Sequence, residues 1–164
     1  MLVNTPFLKL LAAAGMCLFL GLGIYLAPLQ PSVVALQLTY TPEAFGRVVQ
    51  AWGPEGVQRF RNHLPVDGVL LLCYGAAGYL AVVSTHFFEP LAKRKPLLWV
   101  AMLLPLAALC DAGENLLQWW LTTADVLSTP AAPVWYVAAG VCATLKWLGI
   151  TGFAVAALVA RARS

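Results

Sequence analysis

Asp111, Glu114, Asn115 and Gln118 fall at offsets of 0, 3, 4 and 7, so a helix carries all four on one face. Carboxylates so placed can act as general acid or base, take up a proton, or pair with a cation. Lys146 is the natural cation for them. Asp67 and Tyr74, seven residues apart, share a face of another helix and add a third acid and a phenol. Asp67, Tyr74, Asp111, Glu114, Asn115 and Lys146 are therefore the candidate site, a polar pocket that binds or passes a small ligand, a lipid or a proton.

The elements that must position these residues are set by composition. Of 164 residues, 61% are hydrophobic and 10% charged, against about 45–50% and about 25% in a soluble domain. Mean hydropathy is +0.80. These values argue against a water-soluble globule, a disordered chain and a disulfide scaffold. A net charge of +3 with scattered basic residues argues against nucleic acid as a partner. Apolar runs at about 8–29, 66–86, 97–121 and 134–160 are each long enough to cross about 30 Å of hydrocarbon. Backbone groups in lipid must be satisfied within the segment, so the runs are expected to be helices. The expected fold is all-α, a single integral membrane four-helix bundle. The first run also resembles a signal peptide, with 33–35 as a passable cleavage site. Its core spans 10–27, longer than the usual signal core of about 7–15 residues, which favours an uncleaved helix.

Lys and Arg in the connections set the orientation. Lys93, Arg94 and Lys95 lie between the second and third runs, and Arg161 and Arg163 follow the fourth, whereas 122–133 has no basic residue. Both termini are thus expected in the cytoplasm, and the membrane is expected to be the bacterial inner (plasma) membrane. Trp119, Trp120, Trp135 and Tyr136 gather at the outer interface and Trp99 at the inner one. Between the first two runs, Thr41 is a good N-cap, Pro42 a good first helical residue, and Gly53-Pro54 a stop. An amphipathic helical hairpin over about 41–62, broken at Gly53 and lying on the outer surface, is expected there.

Counting inward from the outer end at 1.5 Å per residue, Asp111 lies about 15 Å deep, Glu114 about 10 Å and Lys146 roughly 18 Å. Each unpaired charge at such depth costs about 2.5–3.5 kcal/mol on insertion scales. Lys146 should therefore meet Asp111, Glu114 or both. Asp67 and Glu114 would stand toward the mouth of the pocket, with Tyr74, Asp111 and Lys146 on its floor. One lysine cannot balance three acids, and a leftover carboxylate needs water, a proton or a ligand.

Three functions remain open. In the first, the pocket takes a small cationic or amphiphilic ligand, a lipid or a proton; a chain this short would then act as a homo-oligomer. In the second, an intramembrane enzyme modifies a lipid or isoprenoid, with Asp111 or Glu114 as general acid/base and Tyr74 as proton donor. In the third, an accessory or assembly subunit uses the polar set only to hold helices together, a contribution of about 0.6 kcal/mol per contact. Glu114→Gln would abolish turnover without unfolding an enzyme.

No metal or other cofactor is expected. Cys17, Cys73, Cys110 and Cys142 have scattered spacings within the runs and read as apolar fillers. His63 and His86 lie at opposite ends of the second run, too far apart to share a metal. Ser32, Ser84, Ser128 and Ser164 sit at ends or in loops, without a nucleophile-elbow motif.

Several of these pieces resemble a family of small uncharacterised bacterial membrane proteins with four helices. They are Tyr40-Thr41-Pro42-Glu43, the turn Gly53-Pro54-Glu55-Gly56, Asp67 with Tyr74, the D-x-x-E-N run Asp111-Ala112-Gly113-Glu114-Asn115, and Lys146 after Thr144. The resemblance covers about residues 38–150. It departs before Tyr74, where Leu70-Leu71-Leu72-Cys73 stands in place of the family's proline. It implies the architecture and the polar set, and no activity.

Overall fold

The computed structural model describes residues 5–92 and 97–163. Lys93, Arg94 and Lys95, the expected inner topology anchor, and Ser164 lie outside the described residues. The order is α1 (Thr5–Leu26), α2 (Val33–Gln37), α3 (Pro42–Ser84), a 3-10 turn (His86–Phe88), α4 (Glu89–Ala92), α5 (Leu97–Leu121), α6 (Ala124–Ser128) and α7 (Pro133–Arg163). Among the described residues, four helices are long and apolar enough to cross a membrane: Pro6–Leu26, Pro42–Ser84, Leu97–Leu121 and Pro133–Arg163. The chain is a helical membrane protein.

The boundaries follow local chemistry. α1 stops at Leu26, three residues before the expected end, because Pro28 disfavours the helical conformation at Ala27. Leu29 instead turns inward and is buried. Residues 33–35 open α2, whose N-cap Ser32 accepts from the Ala35 amide.

α3 begins with Thr41 accepting from the Ala44 amide, at 3.2 Å. Its only internal break is Gly53, at φ 62 and ψ −179, a conformation that a side chain would make untenable. The expected second break, between a short 54–62 helix and a span starting at 66, is absent: helix continues from 54 to 84 through Pro65. Pro65 has no N–H to give the Arg61 carbonyl. Burial of Phe60, His63, Leu64 and Leu70 on either side holds the helix across that missing bond. The upper half of the expected hairpin is thus the head of the spanning helix itself.

α1 packs on α3, α3 on α5, and α5 on α7. Two apolar clusters mark the two ends of the molecule. One joins Leu36, Phe45, Trp52, Phe60, Leu121 and Tyr136; the other joins Val82, Phe88, Ala101 and Ala160. Successive long helices therefore run antiparallel. Tyr136, expected as an interface anchor, is buried and meets Phe45 edge to face at 5.3 Å. Trp120 and Trp135 stack edge to face beside it and remain exposed.

Close approach is concentrated between α3, α5 and α7. A Cβ on Gly78 would come within 2.4 Å of Leu104, and one on Gly149 within 2.9 Å of Ala107. Small residues at such points let helix backbones come together in lipid.

Candidate functional site

The helix-face arithmetic places Asp111, Glu114 and Gln118 on the buried side of α5, with exposures of 5%, 0% and 1%. α7 presents Lys146, itself 4% exposed, to that side. Its ammonium donates to Asp111 Oδ1 at 3.1 Å and lies 2.6 Å from Glu114 Oε2. Lys146 thus meets both acids. From α3, the Tyr74 hydroxyl donates to the other oxygen of Asp111, at 2.9 Å. Gln118 Nε2 donates to Glu114 Oε1 at 2.8 Å. Each of the two carboxylates is therefore held at both oxygens.

Asp67 and Asn115 form a second, smaller unit nearer the α2/α6 end of the molecule. Asn115 Nδ2 donates to Asp67 Oδ2 at 2.7 Å, and both residues are half-buried. The six expected residues therefore fall into two groups, Tyr74–Asp111–Lys146–Glu114 and Asp67–Asn115, on three helices.

The core group is packed closely. Of the two cavities described, one lies above it, against Arg61 and Thr122, and the other beside it, against Asn115. Neither is lined by Tyr74, Asp111, Glu114 or Lys146. The α2 loop closes the α7 side. Trp147 Nε1 donates to Gln37 Oε1 at 3.2 Å, and the Tyr40 hydroxyl meets that of Thr144. Lys146 Nζ also stands 5.4 Å from the Trp147 ring centre, a favourable cation–π distance.

Sequence reasoning missed three contributors. Gln118 was on the correct stripe but outside the candidate set; its Oε1 is buried without a hydrogen-bond partner among the described residues. Thr122, one further turn along, donates to the Gln118 carbonyl at 2.7 Å. His63 is buried, 4.8 Å centre to centre from the Phe60 ring, and its Nδ1 meets the Phe60 carbonyl. It lies one turn above Asp67 on the face that leads to Tyr74, a spacing visible in the sequence.

No group of three or more His, Cys, Asp or Glu side chains among the described residues is arranged to hold a metal ion. The four cysteines are free thiols. The arrangement can hold a cation between two anions, and it can exchange a proton among two carboxylates, a phenol and an amine. No family model matches this chain, and neither does any curated protein or any solved structure.

Proposed function

We propose that this chain is a polytopic protein of the bacterial inner membrane, with both termini in the cytoplasm, whose intramembrane carboxylate–lysine cluster binds and passes a proton. One observation carries the reading: a single lysine stands at 3.1 and 2.6 Å from two buried carboxylates. With all three groups ionised, the cluster would hold one uncompensated negative charge in a medium that penalises it by several kcal/mol. A proton shared between Asp111 and Glu114 removes that charge. Gln118 supports the same reading, because its amide N–H binds Glu114 while its unpartnered Oε1 is an acceptor for an incoming donor. Asp67 and Asn115, half-buried above, form the entrance. The bundle with its helical arm on the outer surface, and the likeness to D-x-x-E-N membrane proteins, belong to this proposal.

The test is infrared difference spectroscopy of the full chain in lipid nanodiscs during pH titration. A protonated-carboxyl band should titrate in the wild type and disappear in Glu114→Gln and in Asp111→Asn. If no such band titrates while the chain stays folded, the reading fails.

A second reading, a structural clamp in an accessory subunit, is favoured by the span of the contacts. Tyr74, Asp111, Glu114 and Lys146 tie α3, α5 and α7 to one another. It predicts unfolding defects and no titrating carboxyl.

A further inference from the structure

Two furrows lie end to end along the seam between α3 and α5. The upper one encloses about 710 Å³ and is edged by Gln50, Gln58, Arg61, Thr122 and Thr123. The lower one encloses about 380 Å³ and is walled by Pro65, Gly68, Leu72, Ala112 and Leu116. On α3 these residues form one stripe: Gln58, Arg61, Pro65, Gly68 and Leu72 follow at steps of three and four.

Arg61 and Trp119 stand where the furrows meet. The guanidinium lies 4.6 Å from the Trp119 ring centre. It donates to the Trp119 carbonyl at 2.6 Å and to Thr122 Oγ1 at 2.9 Å through the same nitrogen. No carboxylate pairs with it among the described residues, and no Asp or Glu lines the upper furrow. A guanidinium carries five N–H donors in a planar fork suited to phosphate oxygens. Its sister Arg59, by contrast, turns to α1, donating to the Tyr25 carbonyl at 3.0 Å and covering the Tyr25 ring.

Polar groups are confined to one side of this junction. Above it Gln50, Gln58, Arg61, Thr122 and Thr123 add amides, a guanidinium and hydroxyls to walls otherwise built of Val49, Val57 and Leu127. Below it they are apolar save for Asn115. From Arg61 to Leu72 the helix descends roughly 16 Å, about half the thickness of the hydrocarbon core. That is the reach of an acyl chain in a single leaflet.

We propose that the α3/α5 seam is a binding site for an anionic phospholipid, its phosphate on the Arg61 fork and one acyl chain in the furrow below Trp119. The unpaired cation selects the headgroup, and the apolar furrow selects a chain-bearing molecule over a free anion. The site is separate from the carboxylate–lysine cluster, so its failure would leave the proton-binding reading untouched.

The test uses the full chain in detergent micelles, titrated with phosphatidylglycerol, phosphatidylcholine or inorganic phosphate. The readouts are the thermal midpoint and the lipid retained on mass analysis. Phosphatidylglycerol should raise the midpoint at about tenfold lower concentration than phosphatidylcholine, the effect of one charge-assisted contact. Arg61→Gln should bring the two lipids level, and Arg61→Lys should fall between. Gly68→Phe fills the lower furrow, where an added Cβ meets nothing within 4 Å; it should weaken both lipids without shifting the lipid-free midpoint. Equal responses to the two lipids in the wild type would overturn the proposal. So would unchanged selectivity in Arg61→Gln, full lipid binding in Gly68→Phe, or inorganic phosphate reproducing the whole shift.

Discussion

The seams on the two sides of α3 are built on different principles. Toward α5 and α7, α3 meets its neighbours through hydrogen bonds at Tyr74 and Asp67 and through glycines pressed onto opposing side chains, as at Gly75 and Gly78. Toward α1 it offers a looser contact. Gly15 stands 3.5 Å (from a hypothetical Cβ) from Cys73, Gly21 and Gly23 have open space, and Phe19, Leu20 and Ile24 are exposed. In a bilayer, apolar surface gains little by leaving lipid for another helix, so association depends on close packing and polar contacts. The α3–α5–α7 side has both. The polar contact that α1 makes with α3 lies near the C-terminal end of α1, where Arg59 donates to the Tyr25 carbonyl and covers the Tyr25 ring.

The largest effect should come from removing the cation. Lys146→Met leaves Asp111 and Glu114 buried without their counter-charge, a loss of about 3–5 kcal/mol, measurable by denaturant unfolding in micelles with tryptophan fluorescence. Adding Asp111→Leu should recover most of that loss. No recovery would mean that Glu114 cannot become neutral by itself.

Next come the tight glycines. Gly78→Ala forces a methyl against Leu104 and should cost about 1–3 kcal/mol, part of it regained with Leu104→Ala. Gly140→Ala makes an instructive counterpart. Its Cβ would lie 2.6 Å from the Thr39 carbonyl, so the obstacle is backbone and no side-chain truncation there should rescue it. The α1 seam should tolerate the same change: Gly15→Ala ought to fall within about 0.5 kcal/mol of wild type. A large loss there would erase the contrast between the seams.

The smallest effect lies outside the bilayer, where exposed His86 pairs with Glu89 at 2.5 Å. The Glu89 carboxylate, through its hydrogen bond and its charge, raises the His86 pKa above its ordinary 6.5. A raised folded-state pKa means the contribution is complete below the unfolded value of about 6.5. It is lost as pH climbs through the higher folded value. Nuclear magnetic resonance titration of the ring should show that midpoint fall in Glu89→Gln. The global unfolding curve should barely move, because the pair is screened by solvent.

The four long helices were legible because a bilayer demands unbroken apolar length. The encounter of Asp111, Glu114 and Lys146 was legible because helix rise converts residue count into depth. What could not be read depends on contacts without a local signal. The gap between the 41–62 hairpin and the run at 66 reads as a break, yet helix continues through Pro65, with Phe60 and Leu64 buried just before it. The reach of Gln37 to Trp147, 110 residues away, leaves no periodic trace. Tyr136 looks like an interfacial aromatic until Phe45 arrives to cover it. Gln118 was a matter of range: its offset was counted, but an amide beside a carboxylate was not weighed as part of the site.

The distribution of the cluster over the chain also constrains how the protein is made. Asp111 leaves the ribosome 35 residues before the lysine that bonds it. At synthesis, α5 therefore approaches the bilayer with two acids and no amine, each costing about 2.5–3.5 kcal/mol at the core. Pairing with Lys146 of α7 offsets that cost, so α5 gains from entering lipid alongside α7. Truncation between them should lower the fraction of α5 that inserts, and Asp111→Leu should restore it.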